Sequence, residues 1–225
     1  FIQWALSNYQ TVEEVKNAIK EIELVDIPIN SKTPVPFLHW MLTDQNGASI
    51  VVERTIEGIK VHDNPVHVMT NNPTFDWHLT NLNEYLHLTP TSPKQTKWGE
   101  HTLNALGIGA GTIGMPGDFA SVSRFVRIAY IRAHMPEIKG DVQSITQFFH
   151  MLDYVKMVRG GVITDDGLED ATTYSSCMDQ EKGIYYYRTY ENNRINAIDM
   201  HKEQLEGTNL KMFEYLTNQD INHQN

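Results

Sequence analysis

Apolar residues near the start of the chain keep a helical period. Val12, Val15, Ile19 and Ile22 recur at three- and four-residue steps, which predicts a helix over about 11–23. Thr11-Val-Glu-Glu14 opens it with a capping-box signature, a Thr hydroxyl at the N-cap and a Glu three residues on. The preceding FIQWALSNYQ reads as an amphipathic helix with no cap before it. Downstream, VDIPINSKTPVPFLHW carries Pro28, Pro34 and Pro36 and predicts an extended loop. Its Ile27, Ile29, Val35 and Phe37 make it too apolar for a simple solvated linker.

The period then changes to two. FLHWMLTDQNGASIVVER predicts a hairpin with its turn at Asn46-Gly47. GIKVHD and NPVHVMTN extend it around Asp63-Asn64-Pro65, which gives an antiparallel meander of four strands. FDWHLTNLNEYLHL turns helical, with Leu79, Leu82, Tyr85 and Leu86 on one face. DFASVSRFVRIAYIRAHM and DVQSITQFFHMLDYVKMV predict two further helices. The strand runs TTYSSCMD, GIYYYRTY and INAIDM follow, with turns at Glu181-Lys182-Gly183 and Glu191-Asn192-Asn193. Strands, then helices, then strands is not the alternation of a parallel sheet. It predicts an antiparallel α+β architecture, read as a single domain over 1–225.

Between two of these elements lies GIGAGTIGMPGD. Gly109-x-Gly111-x-x-Gly114 has the letters of a dinucleotide fingerprint, but no strand runs into it and Pro116-Gly117 interrupts the supposed helix start. A glycine loop leading to a helix near Asp118 is the better reading.

Composition narrows the function classes. The 225 residues are 40% hydrophobic and 20% charged, with a formal net charge of −10. An acidic chain offers no cationic footprint for nucleic acid or an anionic membrane. No apolar run approaches the roughly 18 residues of a spanning helix, and no signal peptide is read at the start, so a cytoplasmic protein is expected. One cysteine, Cys177, excludes an internal disulfide and a cysteine-based zinc site. The ten histidines include neither H-E-x-x-H nor His-x-x-x-His, and no metal is expected. Phe1 enters a helix abruptly, as an excised piece of a longer chain would.

Candidate chemistry is sparse. No G-x-S-x-G elbow occurs. Cys177 lies in a β-prone run beside Asp179 and Glu181, which disfavour a thiolate; a small buried strand cysteine is the expectation. Arg124 adjoins the apolar stripe of Phe119, Val122, Phe125, Val126 and Ala129, and either snorkels outward or pairs inside a cleft. Arg127 and Arg132 read as solvent-facing. In VMTNNPTFDWH, Asn71 and Asn72 end a presumed strand just before Pro73, where asparagine is a poor strand residue. They form either a turn or a side-chain amide aimed at something.

Four separated segments, taken in order, resemble the choloylglycine hydrolase family of conjugated bile salt hydrolases and penicillin V acylases: VMTNNPTFDWHLTNLNEY, GMPGDFASVSRFVR, TTYSSC with EKGIYYYRTYENN, and INAIDM. The likeness is closer to the bile salt hydrolases and runs over essentially the whole chain. It implies an N-terminal-nucleophile (Ntn) hydrolase: a four-layer αββα sandwich with antiparallel sheets, incomplete here at the N-terminus. The implied reaction is hydrolysis of the amide of glycine- or taurine-conjugated bile salts by an N-terminal cysteine whose own α-amino group is the base. Asn71 would then donate to the oxyanion, Arg124 would lie beside the nucleophile, and Ile29 and Thr33 would line the substrate pocket. A homotetramer without metal or organic cofactor is implied as well. The nucleophile of the family does not match any residue here; Cys177 falls on a non-catalytic position, and the chain corresponds to the C-terminal two-thirds of the family. Two alternatives stand beside this reading: a penicillin V acylase, or a C-terminal fragment with no catalysis of its own.

Overall fold

The computed structural model describes residues 1–25, 27–28, 30–31, 35 and 38–225. The chain divides into two compact units, 1–135 and 136–225. Helices and antiparallel sheets make up both, so the architecture is α+β as the strand and helix order predicts. No helix among the described residues is long and apolar enough to cross a membrane.

In the first unit, helix α1 (Ile2–Asn8) and helix α2 (Val12–Ala18) are followed by a 3-10 turn at Ile19–Glu21. The capping box is present: Thr11 Oγ1 accepts from Glu14 N at 3.2 Å and Glu14 Oε2 accepts from Thr11 N at 3.0 Å. Strands β1 (His39–Thr43), β2 (Ser49–Thr55) and β3 (Gly58–Asp63) form an antiparallel sheet in that order. Its register sets Trp40 against Val52 and Val52 against Val61. Ile50 and Val52 project from one face into a core with Ala5, Val12, Val15 and Ile19. Because side chains alternate along a strand, Val51 and Glu53 point to the other face, and both are also buried. Central strand β2 is covered on both sides.

The predicted fourth strand does not form. After β3 the chain folds back on itself: Asn64 N donates to Ser49 O at 2.9 Å, Asn64 Nδ2 to Val68 O at 3.2 Å, and His67 adopts a left-handed φ of 54°. The Asn64–Ser49 bond ends the pairing with β2, and the Asn64 side chain and the left-handed His67 then turn the chain out of strand geometry. Residues 64–74 therefore run as irregular chain into helix α3 (Phe75–Asn81). That helix is shorter than expected and tightens to 3-10 geometry at Leu82–Tyr85. Its buried residues are Phe75 and His78, whereas Leu86 of the predicted apolar face is exposed.

A hairpin of β4 (Thr96–Trp98) and β5 (His101–Leu103) follows, too short and polar to have been read from the sequence. The glycine loop then packs back against residues 89–91, ahead of that hairpin. Gly111 O accepts from Thr89 N at 3.0 Å, and a Cβ on Gly111 would lie 2.1 Å from Thr91 O. Close backbone approach explains that glycine, with no phosphate in the account. Helix α4 (Ser121–His134) completes the unit and buries Phe125, Val126, Ile128 and Ala129.

The second unit holds helix α5 (Asp141–Asp153) and the antiparallel sheet β6 (Tyr174–Asp179), β7 (Ile184–Thr189) and β8 (Asn196–Asp199), all four at the predicted places. Phe149 of α5 is buried under the Arg188 guanidinium, which lies 5.0 Å from its ring centroid and pairs with Asp153. The C-terminal segment crosses the sheet and accepts from it: Tyr187 Oη donates to Glu214 O at 3.2 Å and Thr189 Oγ1 to Leu216 O at 2.9 Å.

Candidate active site

Asn71 sits in the irregular segment between β3 and α3, and not at a strand end as the sequence suggests. Each of its polar groups but one is tied down. Its backbone N–H donates to Ser121 Oγ at 2.9 Å. Its carbonyl accepts from His78 Nε2 at 2.8 Å. Its side-chain Oδ1 accepts from Arg124 Nη2 at 2.7 Å. A guanidinium carries donors and no acceptor, so the atom facing it must be the amide oxygen. The Asn71 NH₂ is thereby turned away from Arg124, and among the described residues nothing accepts from it. The Asn72–Pro73 peptide bond that follows is cis.

Helix α4 supplies the holding groups. Asp118, two residues before its N-cap, accepts from Ala120 N at 2.9 Å and from Ser123 Oγ at 2.7 Å. The Ser123 hydroxyl, and then the Ala120 N–H, hold the Asp118 carboxyl below its ordinary value. Arg127 departs from the solvent-facing expectation. It is 8% exposed and donates to Pro116 O at 3.0 Å and Asp118 O at 2.6 Å. This buried guanidinium fastens the glycine loop to the helix and so fixes where Ser121 and Arg124 begin. Arg124 itself is half-buried, with Nε donating to Phe119 O at 3.1 Å. It thus pairs with Asn71, at an exposed contact. Thr70 Oγ1 lies 3.0 Å from Ser121 Oγ and adds a second link between the irregular segment and α4.

Beside this cluster opens a cavity of about 730 Å³. Its lining includes the apolar Leu24, Val25, Val35 and Leu38 and the polar Asn72 and Thr74. The two sequence-stretch candidates Ile29 and Thr33 lie outside the described residues. Of the described residues near them, Leu24, Val25, Val35 and Leu38 line the cavity.

Cys177 belongs to the second unit. It is buried in β6, and burial, followed by the nearby Asp179 carboxylate, pushes its thiol pKa up. That environment is the reverse of one that favours a nucleophilic thiolate. Glu53, His62 and Asp76 bring one donor atom each within 4.8 Å of one another. The Glu53 oxygens already accept from Phe75 N at 3.1 and 3.0 Å, and His62 Nε2 stands 3.5 Å from Glu53 Oε2. The Glu53 carboxylate is thus already engaged by the start of α3.

Ser121 and His78 were missed by sequence reasoning. Ser121 stands three residues before Arg124, where a hydroxyl at a helix start reads as an ordinary cap. His78 left a clearer signal, a polar ring three residues after Phe75 on the face that proves to be buried.

Comparison with known proteins gives a consistent picture. The family described as linear amide C–N hydrolases, choloylglycine hydrolase family, matches residues 1–213. A bile salt hydrolase/transferase of Clostridium perfringens is 51% identical over 227 residues, covering 100% of this chain and 68% of that protein. One of Lactiplantibacillus plantarum is 41% identical over 209 residues, covering 93% of this chain and 64% of its own length. A crystal structure of a variant conjugated bile acid hydrolase from Clostridium perfringens superposes with a TM-score of 0.92 at 51% identity, covering 100% of this chain and 69% of that one. Penicillin V acylase from Agrobacterium tumefaciens superposes at 0.63 with 26% identity, over 89% of this chain and 55% of the other. The chain thus spans about two-thirds of the length of the curated relatives it matches. These superpositions bear out the Ntn-hydrolase fold class expected from the sequence motifs.

Proposed function

Since the chain belongs to the choloylglycine hydrolase family of linear amide C–N hydrolases, we propose that it forms part of an enzyme hydrolysing the amide of glycine- or taurine-conjugated bile salts. In this reading a cysteine nucleophile comes from polypeptide outside residues 1–225. Its attack on the amide carbonyl carbon moves negative charge onto the carbonyl oxygen, and the Asn71 NH₂ donates to that oxygen. Removing one such donor typically costs roughly 2.7–4 kcal/mol of transition-state stabilisation. Arg124 orients the amide and adds positive charge that favours a thiolate over a thiol.

The observation that supports this best is the 2.7 Å bond from Arg124 Nη2 to Asn71 Oδ1. It leaves an amide donor without a partner among the described residues, and the following residue, Asn72, lines a large cavity with apolar side chains in its lining. The cavity lies within the range of about 300–1,000 Å³ common for small-molecule sites, and the apolar loop around Ile29 and Thr33 is proposed as its acyl-side lining. Penicillin V acylase activity is the second reading, favoured by the superposition on an acylase. For residues 1–225 taken alone, the proposal is absence of turnover, because Cys177 is buried in a sheet.

A single domain is proposed over 1–225, since the family match runs through both compact units. Cytoplasmic location and homotetrameric assembly belong to the same proposal. Leu86, Trp98, Leu106 and Ile108, in and around the β4–β5 hairpin, are largely exposed and offer an apolar surface for self-association.

The test is release of glycine and taurine from glycocholate and taurocholate by the full-length protein, beside release of phenoxyacetate from penicillin V. Preferential cleavage of the bile salts supports the first reading, and preference for penicillin V replaces it with the second. Residues 1–225 are assayed in parallel. Turnover by that piece, lost on changing Cys177, would overturn the placement of the nucleophile.

A further inference from the structure

We propose that His78 is a positioning residue for the Asn71 amide, an inference that rests on the oxyanion reading above and deepens it. His78 is 2% exposed, in the middle of α3, with its ring stacked on Phe125 of α4 at 4.4 Å between centroids and 14° between planes. Its Nε2 lies 2.8 Å from the Asn71 carbonyl. A carbonyl only accepts, so Nε2 carries the proton. The other ring nitrogen, Nδ1, is buried without a hydrogen-bond partner among the described residues.

That arrangement is unfavourable for packing alone. A phenylalanine would stack on Phe125 equally well without an unpaired buried nitrogen. What a histidine adds at this place is one hydrogen bond, and its acceptor is the backbone of the candidate oxyanion residue. Ser121, His78 and Arg124 together take the Asn71 N–H, C=O and Oδ1. Two helices, α3 and α4, thus grip an irregular segment that has no ladder of its own. Fixing backbone and side chain together is how a donor is held in place before charge develops, so that little reorganisation is needed.

Two substitutions in the full-length enzyme separate positioning from packing. His78→Phe keeps the stack and removes the donor; His78→Gln keeps a donor at similar reach and removes the stack. We expect His78→Phe to lower kcat about tenfold, the size of one hydrogen bond, with KM and Tm close to those of the unsubstituted enzyme. His78→Gln is expected to keep kcat within about threefold, because its donor survives, while Tm falls. Placed on an Asn71→Ala background, His78→Phe should have no further effect on kcat. A kcat order that follows Tm, an unchanged kcat in His78→Phe, or a full extra loss on the Asn71→Ala background overturns the proposal. His78→Leu, smaller and also without a donor, takes the place of His78→Phe should that variant not fold. Asn71→Ala by itself keeps the two readings apart. If it leaves kcat unchanged the oxyanion role of Asn71 falls, and if it lowers kcat while His78→Phe does not, only the role of His78 falls.

Discussion

Arg124 and Asn71, 53 positions apart in sequence, meet through a 2.7 Å bond from guanidinium Nη2 to amide Oδ1. The contact decides which end of the amide faces outward. An asparagine free to flip would present donor and acceptor alternately, whereas one held by a guanidinium presents only its donor.

Asn71→Asp keeps an oxygen for Arg124 and removes the outward N–H. In the full-length enzyme kcat for conjugated bile salt hydrolysis should fall about 10²–10³-fold, as for other single oxyanion donors, with Tm little changed. Steady-state kinetics beside thermal unfolding checks both halves, and unchanged kcat removes the oxyanion role.

Arg124→Lys retains charge but not the fork that reaches Phe119 O and Asn71 Oδ1 together. A loss of about ten- to a hundredfold in kcat is expected, the size of one charge-assisted hydrogen bond. Arg124→Ala should in addition raise the apparent pKa of the nucleophilic thiol in an alkylation titration. An unaltered titration would confine Arg124 to orienting the amide.

Cys177 should behave as a structural thiol. In folded 1–225 it is expected to resist an aromatic disulfide reagent at neutral pH and to react on denaturation. Cys177→Ala in the full-length enzyme should leave turnover intact. Its thiol pKa is raised by burial and then by Asp179, so the unfolded thiol ionises first. Stability should therefore decline as pH rises from about 8.5, the ordinary thiol value, through the raised folded-state value. Cys177→Ala should lose that share of the alkaline decline, read from denaturant titrations at pH 7 and pH 10.

Gly111 has no room for a side chain, since an added Cβ would meet Thr91 O at 2.1 Å and Thr89 O at 2.4 Å. Gly111→Ala must push backbone apart and should destabilise by about 1–3 kcal/mol, as overpacking does. Denaturant unfolding measures it; an unchanged midpoint would mean that the loop relaxes freely.

Asp118 offers an acid-side counterpart. The Ser123 hydroxyl and the Ala120 N–H lower its pKa, so its contribution is present above about pH 4, the unfolded-state value, and is lost as pH falls through the lower folded-state value. Asp118→Ala should cost about 1 kcal/mol at pH 7, the size of a typical net hydrogen-bond contribution, and progressively less as pH falls below 4. A difference independent of pH would show that the carboxylate charge contributes nothing.

Local pattern carried much of the architecture. Val12, Val15 and Ile19 fixed the face of α2, Thr11 and Glu14 its start, Asn46-Gly47 the first hairpin, and the run of tyrosines in β7 the second sheet. These depend on neighbours within a few positions, where period and capping chemistry act. The four-motif resemblance likewise marked Asn71 and Arg124 before any contact was visible.

Whatever depended on distant chain was legible only in three dimensions. Nothing within a few residues of Asn64 says that its backbone will bond to Ser49 in place of a fourth strand. Nothing local says that Arg127 will be buried against Pro116 and Asp118 while Arg132 stays in solvent, or that His78 will turn inward to hold Asn71. In each case a polar group could have been satisfied equally well by water. The packing of α3 and α4 against the segment between them removed the water and left a protein atom as the partner. Sequence sets which groups must find partners; only the folded chain, by excluding solvent from particular places, settles which partners they find.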